Sequence, residues 1–335
     1  GNNRRNPSMS KLNLSVAVGD YDRARPIVDG RVQIDGVEPT CMVLSPEEIF
    51  FRAFRHAEFD ICELSLSSFT VKTANDDCPY VGVPAFLSRA FRHTSLYVRT
   101  DRIRSPADLK GKRIGVAEYQ LTANVWVRAI LQEHGVEPED VTWVRGGLEQ
   151  PGRPEKIALK LPDAIRIETA PEDKSLSQLL LDGEIEAIIT PRMPSCHGAE
   201  NNVGWLFPDP TAAAMDWYER TQIFPIMHIV GVRKELAEAH PWLPGAVLKA
   251  MTEAKTLALA QLADTSATKV TLPFVEEQLA RARDLMGEDF WSYGIAANRP
   301  TLDAFLQQHH AQGLSRRRLT PEELFHPSTH EAFLI

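Results

Sequence analysis

Ser105-Pro106-Ala107-Asp108-Leu109-Lys110-Gly111-Lys112-Arg113-Ile114-Gly115-Val116 decides how this chain is organised. Ser105 is placed to cap a short helix, Pro106 takes its first position, and Asp108 puts a carboxylate in the first turn. Gly111-Lys112 ends that helix and Arg113 to Val116 reads as a strand. Glu118-Tyr119-Gln120-Leu121-Thr122 then leads into an amphipathic helix over 122–134, stopped by Gly135. Strand followed by helix is the β-α-β rhythm, so this stretch opens a second α/β unit partway along the chain.

The first unit lies upstream. Residues 12–18 are apolar at Leu12, Leu14, Val16 and Val18, the period of a strand. A polar loop over 19–23 follows, then a strand over 37–44. Ser45-Pro46-Glu47-Glu48 caps a helix running to about 56, with Ile49, Phe50, Ala53 and Phe54 facing inward. Strands are expected over 59–64, 80–87 and 94–98. Past the second unit's opening, strands fit 141–144, 164–169, 185–190 and 226–232, and a helix fits 175–181. Residues 146–162 are rich in Gly and Pro and read as a long ordered loop. Helical patterns cover 244–262, 273–286, 301–312 and 321–325.

The fold expected is α/β and two-lobed, with two mixed sheets flanked by helices, an interlobe cleft and a helical C-terminal part. Lobe one is assigned residues 9–98 plus 225–335 and lobe two 99–224, with 1–8 a disordered or vector-derived tail. Ligands of open α/β sheets bind at the carboxyl ends of strands, and between two lobes those ends face a shared cleft.

With 335 residues the chain exceeds one small core, which favours two lobes. Lys plus Arg is 37 against 45 Asp plus Glu, a net charge of -8, which argues against a nucleic-acid partner. Cys41, Cys62, Cys78 and Cys196 form no C-x-x-C pair and read as buried free thiols. Cys196-His197 lacks a second ligand pair at metal spacing, so no metal is expected. No run is apolar and long enough to span a bilayer, and the polar start lacks the apolar core of a secretory signal. The expectation is a cytoplasmic protein without a membrane partner; self-association is left open.

Against this acidic background, Ser88-Arg89-Ala90-Phe91-Arg92-His93 gathers two guanidinium groups and an imidazole. Arg forks match carboxylates, and a nearby His moves protons near neutral pH. A small carboxylated ligand fits.

Several motifs together resemble a known family. The 105–116 stretch is similar to the opening of lobe two in type II periplasmic solute-binding proteins. Sharper are Glu63-Leu-Ser-Leu-Ser-Ser68, Phe86-Leu-Ser-Arg-Ala-Phe-Arg-His93, Glu118-Tyr-Gln-Leu-Thr122, Gly152-Arg-Pro-Glu155, Thr190-Pro-Arg-Met-Pro-Ser195 and Ile223-Phe-Pro-Ile-Met-His228. Met286-Gly-Glu-Asp-Phe-Trp291, Asn298-Arg299 and His309-His310-Ala-Gln-Gly-Leu314 extend the set. It resembles the 4,5-dihydroxyphthalate decarboxylase family from Met9 onward. The resemblance implies a binding-protein fold used as an enzyme of phthalate breakdown. It also implies an aromatic dicarboxylate substrate, 3,4-dihydroxybenzoate and carbon dioxide as products, and no organic cofactor.

Such a reaction needs a proton delivered to the ring carbon bearing the leaving carboxylate, and cationic anchors for the carboxylate that stays. Arg89, Arg92 and Arg192 are the anchor candidates, with Arg23 a fourth. Arg89 and Arg92 are three apart, so on a strand they point to opposite faces and only one should reach ligand. His93 shares the parity of Arg89 and is expected to join it there. His93 and His228 are the proton-transfer candidates, with Glu63 and Glu118 as rival acids. Ser65, Ser67, Ser68, Gln120 and Thr122 lie at helix starts and Thr190 at a strand end, where their polar groups suit carboxylate or catechol oxygens. Asp20 and Tyr21 are placed to accept from a ring hydroxyl. The competing readings are a non-catalytic solute-binding protein feeding an ABC-type transporter and another enzyme on the same fold.

Overall fold

The structure, a computed structural model, describes residues 10–155 and 157–331. The tail expected at 1–8 lies outside the described residues. In chain order the first unit comprises β1 (Leu12–Val18), α1 (Arg25–Val28), β2 (Val37–Val43), α2 (Pro46–His56), β3 (Ile61–Ser65), α3 (Leu66–Ala74) and β4 (Tyr80–Arg89). The second comprises β5 (Leu96–Arg99), β6 (Arg113–Val116), α4 (Thr122–Glu133), β7 (Thr142–Arg145), β8 (Arg166–Thr169), α5 (Leu176–Asp182), β9 (Ala187–Ile189), β10 (Val203–Trp205) and α6 (Pro210–Thr221). The chain then returns through β11 (Ile226–Arg233) to α7 (Lys234–Ala239), α8 (Leu243–Ala263), α9 (Val275–Met286), α10 (Arg299–Ala311) and α11 (Pro321–Leu324).

One sheet runs β2-β1-β3-β11-β4 and the other β10-β5-β9-β6-β7-β8. Both are mixed: β11 is antiparallel to β3 and β4, and β5 is antiparallel to β9 and β10. The local signals act as expected at α2, where the Ser45 side chain accepts from the Glu48 amide and Pro46 opens the helix. The apolar face of that helix, Ile49, Phe50, Ala53 and Phe54, is buried.

The structure moves two boundaries. β5 pairs with β9 and β10, so residues 96–98 belong to the second sheet and the crossing falls at 90–95, ahead of Val98. Nor does the C-terminal part serve lobe one alone. α10 packs on α4, and its Phe305 and Leu306 share a buried cluster with Trp126 and Val116 of the second unit and Leu64 and Phe69 of the first. Polar ties reinforce that seam: Trp126 Nε1 donates to the Ile226 carbonyl at 2.9 Å, and Tyr119 Oη to the Gln312 carbonyl at 2.8 Å. The fully buried Arg128 donates to Gln312 Oε1 at 2.7 Å and lies 3.9 Å over the Tyr119 ring. The lobes are thus packed together behind the cleft.

α6 and β10 extend the expected set of elements. α6 carries a legible signal, since Asp209 caps the Ala212 amide and Pro210 opens the helix. β10 spans three residues, too short for a periodicity.

Candidate active site

β1, β3 and β11 bring their ends together under the cleft. Val230 lies opposite Glu63 and His228 opposite Ser65, which places Glu63 and His228 diagonally on one face. His228 Nδ1 lies 2.5 Å from Glu63 Oε2. An ionised carboxylate only accepts, so Nδ1 carries the proton and Nε2 is left to the cleft that His228 lines. Glu63 is fully buried and also accepts from Tyr21 Oη at 2.7 Å and from the Gly19 amide at 2.9 Å. Burial alone would raise its pKa, but the bonds from His228, Tyr21 and Gly19 hold the carboxyl below its ordinary range. Burial and then the Glu63 charge push the Tyr21 phenol up, so it stays a donor. Gly19 is required here: a Cβ would fall 2.5 Å from the Tyr21 ring.

The cleft above this floor has a volume of about 580 Å³. The N-terminal ends of α2 and α4 open on it, through Ser45, Pro46 and Glu47 and through Leu121, Thr122 and Ala123. The positive ends of two helix dipoles favour an anion between them. Thr122 Oγ1 ties the lobes across the floor, 3.1 Å from Ser65 Oγ and accepting from the Ser67 amide at 3.0 Å. The β11–β4 register slips on both sides of His228, and the adjacent residues Met227 and His228 both line the cleft.

Three arginines line the walls. Arg92, on the crossing segment, is partly buried and makes no ion pair among the described residues; its Nε lies 3.3 Å from Met227 Sδ. Burial lowers its pKa to about 10, so it stays charged at neutral pH. Arg192, after β9, is exposed and likewise makes no ion pair among the described residues. Thr190 Oγ1 holds its turn, donating to the Arg192 carbonyl at 2.9 Å and accepting from the Arg192 amide at 3.1 Å. Arg153, on the loop after β7, reaches Glu47 Oε1 across the cleft at 2.5 Å and Glu118 Oε2 at 3.5 Å. Gly147 starts that loop's tight turn, where a Cβ would meet the Gln150 carbonyl at 1.7 Å. Phe50, Ala117, Leu121 and Ala123 supply an apolar stretch of wall.

Of the residues singled out in the sequence, His228, Arg92, Arg192, Ser65, Thr122 and Thr190 line this cleft. Glu63 and Tyr21 stand behind His228, and Ser67 behind Thr122, with its hydroxyl 3.2 Å from His309 Nε2. Glu118 is fully buried beside Arg153. The others lie elsewhere. Arg89 is buried and donates to the carbonyls of Ser292 at 3.0 Å and Phe224 at 2.7 Å. Arg23 donates to the Leu87 carbonyl at 2.7 Å, its guanidinium between the Tyr21 and Trp291 rings. Asp20 is exposed and pairs with Arg25. Ser68 and Gln120 are buried and do not line the cleft.

His93 is the largest correction. It is buried against Phe207 and Trp217, and burial pushes its pKa down to about 4. The strand ends at Arg89, so parity does not carry to residues 92 and 93; of Arg89, Arg92 and His93, Arg92 alone lines the cleft. The sequence reading also passed over Arg153, Glu47 and Phe50. Gly152-Arg153-Pro154-Glu155 is among the motifs, yet a loop has no periodicity to say where its Arg points. Among the described residues no three His, Cys, Asp or Glu side chains converge as a metal site would need. Cys196 is buried, and His197 packs on Tyr97 and Trp205.

A family model described as NMT1/THI5 like matches residues 56–151. A curated relative from Comamonas testosteroni, named 4,5-dihydroxyphthalate decarboxylase, is 63% identical over 98% of this chain and 100% of its own length. A second of the same name, from Pseudomonas putida, is 64% identical over 63% of this chain and 83% of its own. Among solved structures, a periplasmic sulfonate-binding protein from Methylobacillus flagellatus superposes with a TM-score of 0.53 at 13% identity. That match covers 95% of this chain and 92% of the other, and at this identity it speaks for the fold.

Proposed function

The chain belongs to the 4,5-dihydroxyphthalate decarboxylase family, and from that premise we propose how its cleft carries out the reaction. The protein is a carboxy-lyase that removes one carboxylate from a dihydroxylated aromatic dicarboxylate. In 4,5-dihydroxyphthalate each carboxylate has a hydroxyl para to it, so either can leave with the same electronic push. The reaction replaces the C–CO2 bond by a C–H bond. A proton adds to the ring carbon bearing the carboxylate, and the para oxygen supplies electron density. Carbon dioxide then departs, the bonding pair returns to the ring, and 3,4-dihydroxybenzoate remains.

The observation that carries the assignment of roles is the buried Glu63–His228 pair beneath a cleft lined by two arginines that make no ion pair among the described residues. His228 Nε2 delivers the proton to the ring carbon, and Glu63 holds the tautomer and balances the imidazolium charge. Tyr21 and the Gly19 amide fix Glu63 in turn. Arg92 and Arg192 take the carboxylate that stays. The leaving one faces Phe50, Ala117 and Leu121, because a cation beside it would stabilise the charge that must be lost. Arg153, already neutralised by Glu47, closes the wall. The same proposal places the reaction in the cytoplasm, where a reducing medium suits four free cysteines.

The test is incubation of the purified protein with 4,5-dihydroxyphthalate in heavy water. The expected product is 3,4-dihydroxybenzoate with deuterium at C6, the position the carboxylate left. Binding detected by a thermal shift with no product formed would defeat this reading. Dialysis against a chelator is expected to leave the rate unchanged, and loss restored by a divalent metal would add a metal step.

A further inference from the structure

The crossing segment at 90–95 has two faces, and the cleft uses only one. Arg92 lines the cleft, while Phe91 and His93 turn away and line a second cavity of about 250 Å³. Pro210, Ala214 and Met215 of α6 and Leu285 of α9 complete its apolar walls. We propose that this cavity is a second ligand site for a monocyclic aromatic monocarboxylate, a class that includes the reaction's own product, and that its occupancy is felt at Arg92. The inference rests on the reading of the cleft given above.

Size and lining limit the ligand first. An apolar cavity of about 150 Å³ holds benzene, so this one admits a single substituted ring and little more. Its charged group then selects the substituent. Arg281 stands on the cavity's lining and makes no ion pair among the described residues. The acids nearby do not neutralise it. Asp209 accepts from the Ala212 amide, Asp216 pairs with Arg220, and Glu219 makes no ion pair with Arg281. One unpaired cation matches one carboxylate. The dicarboxylate substrate would leave its second charge against an apolar wall, so the cavity discriminates in favour of the monoacid.

The route to the cleft is short. Phe91 stacks on Phe224 at 5.0 Å between ring centres, and the next residue, Arg92, is the cleft anchor beside Met227. The outer wall can give way, because no side chain of α9 is fully buried. A ligand that displaces Phe91 or His93 therefore moves Arg92, and the two sites are linked by their shared backbone.

Initial rates with increasing 3,4-dihydroxybenzoate, together with equilibrium dialysis, test this. Wild-type protein is expected to bind a second equivalent per chain and to show inhibition that lowers kcat as well as raising KM. Arg281→Ala, on an exposed helix, and Ala214→Trp, which fills the cavity, should each lose the second equivalent and the kcat component. Competitive inhibition would remain, with uninhibited kcat and KM within about twofold of wild type. A single bound equivalent with purely competitive inhibition in wild type would overturn the proposal, as would a pattern that Arg281→Ala leaves unchanged. Failure of the cleft reading is separately visible, since it would leave turnover intact in His228→Gln.

Discussion

His228 and His93 sit on opposite sides of the same structural seam, and their surroundings differ in kind. His228 has a buried carboxylate at Nδ1, the edge of Phe50 at 4.8 Å and an opening to the cleft. His93 has Phe207 and Trp217 around its ring and makes no ion pair among the described residues. The first environment orients an imidazole and balances its charge; the second keeps one neutral. The arginines divide in the same way. Arg89 spends its guanidinium on two backbone carbonyls, whereas Arg92 has only a thioether at its Nε. Proximity to cations in the sequence therefore says little about which His moves protons. A fixed acid behind it and an open path in front say more.

The largest effect that would break this contrast, beyond His228 itself, is at Glu63. Glu63→Gln removes the charge that pins the tautomer, and kcat is expected to fall by about 10²-fold or more with KM nearly unchanged. A loss confined to KM would make Glu63 part of the binding wall. Next come Arg92 and Arg192. Arg92→Ala and Arg192→Ala should each raise KM by about 10-fold to 100-fold, the worth of one charge-assisted pair. An unchanged KM in steady-state assays would remove that residue from the clamp.

Arg89→Met sharpens the comparison from the other side. It strands the Phe224 carbonyl and leaves the Ser292 carbonyl to Asn298 Nδ2 alone, and should cost about 1–3 kcal/mol in denaturant melts while leaving KM close to wild type. A large KM effect without destabilisation would put Arg89 in the cleft after all.

The smallest effect is a pH dependence of stability at His93. Its folded pKa is about 4 against about 6.5 in an unfolded chain. The unfolded state thus binds more protons between those values, and stability is lost as pH falls through that window. His93→Phe should make the acid limb shallower there, read from denaturant midpoints at a series of pH values. Glu63 acts lower on the scale. Its folded pKa is depressed, so its contribution is present above the unfolded value and disappears as pH falls through the folded one.

Much of the architecture is legible in the sequence because its signals are local. The Ser45-Pro46 cap, the alternation of 12–18 and the stop at Gly135 each act through neighbouring residues. The boundary near Val98 is not, because β5 is assigned by pairing with β9 and β10, far along the chain. The site follows the same division. Parity cannot sort Arg89, Arg92 and His93, because β4 ends at Arg89 and the residues after it follow an irregular crossing whose direction is set by tertiary packing. Glu63 is legible as an acid at a strand end. Its role as the partner of His228 comes from a pairing register 165 residues long in separation. Arg153 is hidden for another reason, since its position depends on a loop held by Arg145 and Arg55 through contacts no motif encodes.

The most direct test of the account is single-turnover decarboxylation of 4,5-dihydroxyphthalate by His228→Gln set beside His93→Gln. His228→Gln is expected to bind substrate within a few-fold of wild type but to form 3,4-dihydroxybenzoate about 10²-fold to 10⁴-fold more slowly, while His93→Gln turns over within about threefold. Near-normal turnover by His228→Gln, or a collapse in His93→Gln with its fold intact, would contradict it.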